Sequence, residues 1–70
     1  MFILLEIQTE NRQTAILPAL TYTDSNEADS AYYTKKAAAA ISSVDVHTVI
    51  LLDEHGNIIR RGFYEHLSAE

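Results

Sequence analysis

The strongest constraint on the fold is a single helical segment with strand-prone runs on both sides of it. Residues 24–27, DSNE, place an acceptor side chain three residues before Glu27, a pattern typical of a helix start. Helix-forming residues then continue to about Ser43 or Val44, through AYYTKKAAAA at positions 31–40. The sequence therefore predicts one helix in the middle of a chain whose other segments form a sheet.

Two strands are predicted before the helix. Phe2 to Thr9 alternates in a two-residue period, and Thr14 to Leu20 follows a polar turn around Asn11 and Arg12, although arginine suits a tight hairpin turn poorly. Pro18 has no amide donor, which predicts a sheet edge or a bulge. The expected cross-strand pairs are Ile7 with Ile16, Leu5 with Pro18, and Ile3 with Leu20.

Two more strands are predicted after the helix. Val46 to Leu52 is the most strand-prone run of the chain, and we expect it to be central in the sheet. A connection over Asp53 to Asn57, with Gly56 left-handed and forming a bulge, leads to a last strand from Ile58 to Tyr64. The order ββαββ predicts an α+β fold in which one helix packs on a four-stranded antiparallel sheet, with residues 1–70 as a single domain.

The alanines predict that the helix packs closely on the sheet, because a small side chain allows close approach. Ala39 is expected on the opposite side of the helix, and Tyr32 at its boundary, where it could contact a partner. The stripe expected to face the sheet consists of Tyr33, Ala37, Ala40, Ile41 and Val44.

The predicted strands carry apolar residues on both faces, whereas one helix can cover only one face. A large uncovered apolar face usually marks an interaction surface, and a twofold homodimer is the commonest arrangement for a small chain. The alternative is that these side chains remain singly in contact with water, as surface apolar residues often do. The residues predicted for the interface are Phe2, Leu4, Leu17, Ile50, Leu52 and Tyr32.

The side chains that could carry chemistry form no recognisable site in the sequence. His47, His55 and His66 do not have the spacing of a metal-binding pair on a helix, and turn or tail histidines are usually solvated. His47 could respond to pH if an interface buries it. The acidic residues near the helix start are explained by capping, and two glycines provide no phosphate-binding loop. We predict no catalytic residue, no metal ligand and no cofactor.

Composition narrows the classes of partner. A formal net charge of −5 disfavours nucleic acid and anionic lipid as partners. The chain has no cysteine, so neither disulfides nor thiolate metal sites can stabilise it. No stretch approaches the roughly 20 apolar residues that span a bilayer, and the opening MFILLEIQ lacks the basic start of a signal peptide. We therefore expect a cytoplasmic protein that does not bind membranes.

The segment from Asn26 to His66 resembles short uncharacterised proteins encoded by bacteriophages and mobile elements of gut Firmicutes. The features in common are the NEA helix start, the tyrosine-then-alanine helix, the HT strand entry and a closing tyrosine near EH. The resemblance implies a mobile-element setting in a bacterial host and no catalytic residue. We expect a non-enzymatic module that binds a host protein. Inhibition of a host defence nuclease is one form that such binding could take. The alternatives are a phage structural or assembly accessory protein and a small metal-dependent enzyme.

Overall fold

Two long strands, β1 (Phe2–Glu10) and β4 (Val46–Asp53), form the centre of an antiparallel sheet in the computed structural model, which describes residues 1–66. The strand order is β2-β1-β4-β5. The short strand β3 pairs with the same edge of β1 as β2 does, nearer to the start of β1. The predicted α+β fold is confirmed, with five strands instead of four. The remaining elements are β2 (Gln13–Ile16), β3 (Leu20–Tyr22), α1 (Ser25–Ala40) and β5 (Ile58–Glu65).

The second predicted strand is divided because Pro18 cannot donate to a strand ladder. The predicted pair of Ile7 with Ile16 is confirmed. Beyond the break, however, Leu20 lies opposite Leu4 instead of Ile3, so the pairing has slipped by one residue. Residues 17–19 therefore act as a bulge, and the register predicted for the second half of this strand is wrong.

The first hairpin turns at Asn11 and Arg12, as predicted. Both residues have positive φ, 53° and 65°, and Glu10 pairs with Gln13 on either side of them. A two-residue turn with both centres in the left-handed region matches the twist of the flanking strands. The backbone N–H of Asn11 also donates to Asp45 at 3.2 Å, which connects the turn to the segment before β4.

Helix α1 starts as predicted and ends earlier than predicted. Asp24 caps the first turn, where its carboxylate accepts a hydrogen bond from the backbone N–H of Asn26 at 3.4 Å. The helix ends at Ala40 because Ser42 binds the backbone locally, its hydroxyl accepting from Val44 N–H at 3.2 Å. Val44 consequently lies outside the helix, and its predicted place on the helical stripe is wrong.

The helix faces the sheet with a different stripe from the predicted one. Ala39, expected on the far side, is fully buried, whereas Ala40 is exposed and Ile41 is 88% exposed. Tyr33 is also exposed, and its neighbour Tyr32, expected at the boundary, is in the core. The buried cluster consists of Ala28, Tyr32 and Ala39 from α1 with Leu4, Val49 and Leu51 from the sheet.

Lysine stems explain the difference in helix orientation. Lys35 and Lys36 lie on the sheet side of α1 and are half-buried, because each carries its charge outward on an apolar stem. Gly62 of β5 makes room for this packing, since a Cβ there would lie 2.8 Å from the Tyr32 hydroxyl oxygen and 3.0 Å from Lys36 Cε. The sheet therefore packs against Tyr32 and the two lysines, none of which belonged to the predicted stripe.

The second hairpin follows the prediction in its turn. Gly56 has φ 85°, in the left-handed region, and the pairing of β4 with β5 shifts between Leu51 and Leu52. The Asp53 carboxylate organises the turn by accepting hydrogen bonds from His55 N–H at 2.8 Å and Asn57 N–H at 2.9 Å. Within residues 1–66, the helix is too short and too polar to cross a membrane.

Candidate functional site

The sheet face that lies away from α1, here called the open face, is predominantly apolar. Residues directly opposite each other in neighbouring strands share a face, so the pairs Ile3–Leu52, Leu5–Ile50 and Ile7–Ile16 all belong to it. Strand β5 adds Ile58, Arg61, Phe63 and Glu65, which pair with the open-face residues of β4.

Exposure separates the two faces of the sheet clearly. Beneath the helix, Leu4 and Leu51 are each 1% exposed. On the open face, Ile16 is 69% exposed and Phe63 is 50% exposed, while Ile50 in the middle is half-buried by its neighbours. No element of residues 1–66 packs on this second face, so a predominantly apolar surface, with Thr48 between Ile7 and Phe63, remains in contact with solvent.

Among the paired residues of the described strands, two charged side chains lie on the open face, and both belong to β5. Arg61 and Glu65 lie two positions on either side of Phe63, and all three are exposed. The Arg61 guanidinium lies 5.9 Å from the centre of the Phe63 ring, within the range of a cation–π contact. One strand therefore presents a cation, an aromatic ring and an anion in sequence.

The residues predicted for the interface are divided between the two faces. Ile50 and Leu52 lie on the open face, but Leu4 and Tyr32 are buried under the helix, and Phe2 packs against the same core. Leu17 lies between β2 and β3, where its backbone N–H donates to the Glu6 carbonyl at 2.9 Å. The placement of Leu4, Phe2 and Tyr32 on an uncovered surface is therefore wrong.

The physical reason for this correction is the register between β1 and β4. The prediction grouped Leu4 with Leu52, whereas Leu4 lies opposite Leu51 and Leu5 lies opposite Ile50. A shift of one residue moves every side chain of a strand to the other face. The sequence prediction missed Leu5, Ile7, Ile16 and Phe63, whose common signal was their alternation within each strand.

His47 and Glu6 form the only histidine–carboxylate pair on the covered face of residues 1–66. The Nε2–H of His47 donates to Glu6 at 2.8 Å, and Lys35 Nζ lies 3.4 Å from the other carboxylate oxygen. His47 is 4% exposed, and its Nδ1 has no hydrogen-bond partner among the described residues. The His47–Glu6 bond joins β4 to β1, and the ion pair between Lys35 and Glu6 fastens the helix to the sheet at the same place.

The other two histidines lie apart from His47. His55 is exposed in the second turn. His66 Nε2 donates a hydrogen bond at 2.8 Å to the backbone carbonyl of Ala39, in the last turn of the helix. Histidines and acidic residues of positions 1–66 do not gather in any group of three or more that could hold a metal ion.

A second ion pair fastens the other half of the helix to β5. Arg60 donates two hydrogen bonds to Asp29, at 3.0 and 3.3 Å, and its guanidinium lies 5.3 Å from the centre of the Tyr33 ring. The Arg60 hydrogen bond lowers the pKa of Asp29, and the same bond raises the pKa of Arg60. Arg60 and Arg61 therefore diverge to opposite faces, as the alternation of strand residues predicts.

A shallow polar cavity of about 310 Å³ lies beside the first hairpin. It is lined mainly by amide and hydroxyl side chains, including Gln8, Asn11, Gln13 and Thr14, with Glu10 as its carboxylate. These groups can hydrogen-bond a polar surface. A nucleophile and a base in contact, which acyl or phosphoryl transfer needs, are not among its lining residues.

Comparison with protein-family models, with curated proteins and with solved structures finds no match to this chain. The resemblance to phage-encoded proteins stays a prediction.

Proposed function

We propose that this chain is a non-enzymatic protein-interaction module that forms a twofold homodimer by packing two open faces together. The observation that carries the proposal is the apolar open face, with Ile7, Ile16, Ile50 and Phe63 in contact with solvent in a single chain. Burying such side chains stabilises an assembly by roughly 1.5 to 3 kcal/mol for each one that becomes fully buried. A second copy supplies an identical apolar surface, which the isologous contact of a twofold dimer requires.

The size of the open face fits a small dimer interface. Four strands at the usual spacing cover about 20 Å, and seven or eight residues extend about 25 Å along them, which gives about 500 Å² per copy. Complete overlap of the open faces of two copies would bury about 1,000 Å² in total, the lower limit for a specific protein–protein interface. Sheets that pack face to face in this manner are separated by about 10 Å.

The sheet edges are poor alternatives for association. Strand β5, which forms one edge of the sheet, pairs irregularly with β4 at Leu51 and Leu52 and carries the charges of Arg60, Arg61 and Glu65. The other edge is interrupted between β2 and β3 at Pro18. Both devices are those by which natural sheets resist edge-to-edge pairing, so the face is the favoured surface.

The proposal assigns no catalytic role to the described residues. His47 and Glu6, the pair that most resembles a catalytic arrangement, support the helix from beneath. In the dimer, the two helices are on the outside, where they are free to contact a protein of the bacterial host or of the mobile element. A cytoplasmic setting and a host partner, which the sequence led us to expect, are part of this proposal.

The test compares charged substitutions on the open face and on the helix. Ile50→Glu places two carboxylates in the interface, so we expect light scattering to report a monomer where the unmodified protein is a dimer. Ala38→Glu, at an exposed helix position, introduces the same side chain and should leave the dimer intact. Circular dichroism checks that each variant is folded. If Ile50→Glu does not fold, Ile16→Glu makes the same test at a more exposed position.

A monomer for the unmodified protein at concentrations of tens of micromolar would contradict the proposal. A dimer that persists in folded Ile50→Glu and Ile16→Glu would equally exclude the open face as the interface.

A further inference from the structure

The order of charges on β5 carries an inference about how the second copy is oriented. It rests on the proposed open-face dimer. Arg61, Phe63 and Glu65 share the open face, so two residues of opposite charge lie at equal sequence distances from an aromatic ring. With the usual rise of a strand, the two charged positions are about 13 Å apart. A strand with this pattern is complementary to a copy of itself that runs in the opposite direction.

We propose that the twofold axis crosses the strands at the level of Phe63, so that Arg61 of each copy pairs with the partner's Glu65. Such an axis lies between the two sheets, perpendicular to the strands, and places each β5 over the β5 of the other copy in antiparallel orientation. Phe63 then meets its own counterpart. Thr48, Ile7 and Ile16, which share its row across the sheet, lie at the same level. The rows that contain Arg61 and Glu65 overlap those of the partner, while the row of Ile3, Leu52 and Ile58 extends beyond the partner's sheet.

Charge distinguishes this axis from its neighbours. An axis one row away, through Leu5 and Ile50, would bring Arg61 against the partner's Arg61, and like charges in an interface are strongly unfavourable. An axis parallel to the strands would place β5 over the partner's β2, where neither Arg61 nor Glu65 meets an opposite charge. Only the axis at Phe63 gives two ion pairs, and each is partly shielded from water by the apolar face.

The specific partner is therefore a second copy in one defined orientation. The Arg61–Phe63 contact already holds the guanidinium over the ring in the single chain, so the cation is partly ordered before the dimer forms. The ordering cost that weakens most surface ion pairs is correspondingly smaller here.

Charge exchange tests the orientation. Arg61→Glu alone and Glu65→Arg alone each create two like-charge contacts in the dimer, so we expect each to weaken self-association by about tenfold or more at low salt. An equimolar mixture of these two variants should form a heterodimer with both ion pairs restored. The doubly exchanged variant, Arg61→Glu with Glu65→Arg, should form a homodimer nearly as tight as that of the unmodified protein. Sedimentation velocity measures all four samples.

Single variants that dimerise as tightly as the unmodified protein, or a mixture no tighter than its components, would overturn the orientation. The Ile50→Glu test separates this failure from failure of the proposed function. Dissociation by Ile50→Glu together with indifference to charge exchange leaves the open-face dimer intact and rejects only the axis at Phe63.

Discussion

Single residues in the two hairpin turns show how far local preference decides the backbone. Asn11 suits its left-handed conformation, whereas Arg12 adopts φ 65° in spite of the clash between its Cβ and the backbone. The pairing of Glu10 with Gln13 on either side imposes this conformation. The turn position was predictable from the sequence. The backbone strain at Arg12 can be relieved by substituting a residue that tolerates positive φ.

Arg12→Gly should therefore raise the free energy of unfolding by about 1 kcal/mol, because glycine adopts positive φ without a steric penalty. Arg12→Ala removes the same charge and keeps the Cβ, so it should bring no comparable gain. Urea unfolding of the three proteins measures the difference. Equal stabilisation by alanine and glycine would mean that the arginine side chain, and not backbone strain, limits stability here.

Asp53 makes the second turn sensitive to acid. Hydrogen bonds from the Asn57 side chain and backbone, and then from His55, hold the pKa of this carboxyl below its ordinary value of 3.8. A carboxyl whose pKa is lowered by folding stabilises the native state above its unfolded pKa, and this contribution is lost as the pH falls through the lowered value. The second turn therefore weakens below about pH 4.

We expect Asp53→Asn to be less stable than the unmodified protein at pH 7, with the difference shrinking as the pH falls below 3.8. Urea midpoints at pH 7 and near pH 3 provide the comparison. A stability difference that stays constant over this range would show that the ionised carboxylate does not stabilise the turn.

At the scale of elements, the position of the helix start was predictable, but the side of the helix that packs was not. The apolar spacing of Tyr33, Ala37 and Ile41 suggested a stripe that is in fact exposed. The stripe that packs on the sheet includes Lys35 and Lys36, whose aliphatic stems cover it. The ammonium group of Lys35 pairs with Glu6. A sequence pattern counts lysine as polar, although its aliphatic stem can pack on a sheet, and this caused the error.

The alanine run consequently makes a sharp contrast between neighbouring positions. Ala39→Leu should destabilise the protein by about 1 to 3 kcal/mol, because a fully buried alanine against the sheet leaves no space for a larger side chain. Ala38→Leu, one residue away and exposed, should change stability little. Thermal melting of the two variants checks this. The close-packing explanation fails if their melting temperatures are equal.

The helix also spans a connection that limits which sheet face it can cover. β3 and β4 are both antiparallel to β1, which lies between them, so they run parallel to each other. Helical crossovers between parallel strands of one sheet are right-handed in nearly all proteins. Once the strand order is known, this rule restricts α1 to one face, but the strand order itself depends on pairs far apart in the sequence.

At the scale of the whole molecule, the imbalance between one helix and two apolar sheet faces was visible in the sequence. Alternation correctly separated Ile50 and Leu52 from Val49 and Leu51 within β4. Alternation could not show which side chains of β1 share a face with Ile50 and Leu52. That depends on the register between β1 and β4, whose paired residues are about 45 positions apart in the sequence and are not joined by a local turn. The uncovered face was therefore predictable as a feature, and its residues were only partly so.

The most direct test of the open-face dimer asks whether side chains of the open face touch those of a second copy. Equal amounts of isotope-labelled and unlabelled protein are mixed, and an isotope-filtered nuclear Overhauser experiment then detects contacts between copies only. We expect contacts from the methyl groups of Ile7, Ile16 and Ile50 and from the Phe63 ring, and none from Leu4 or Leu51, which are buried beneath the helix. Contacts confined to the exterior of the helix, at the exposed Tyr33 for example, or no contacts between copies at all, would contradict the open-face dimer.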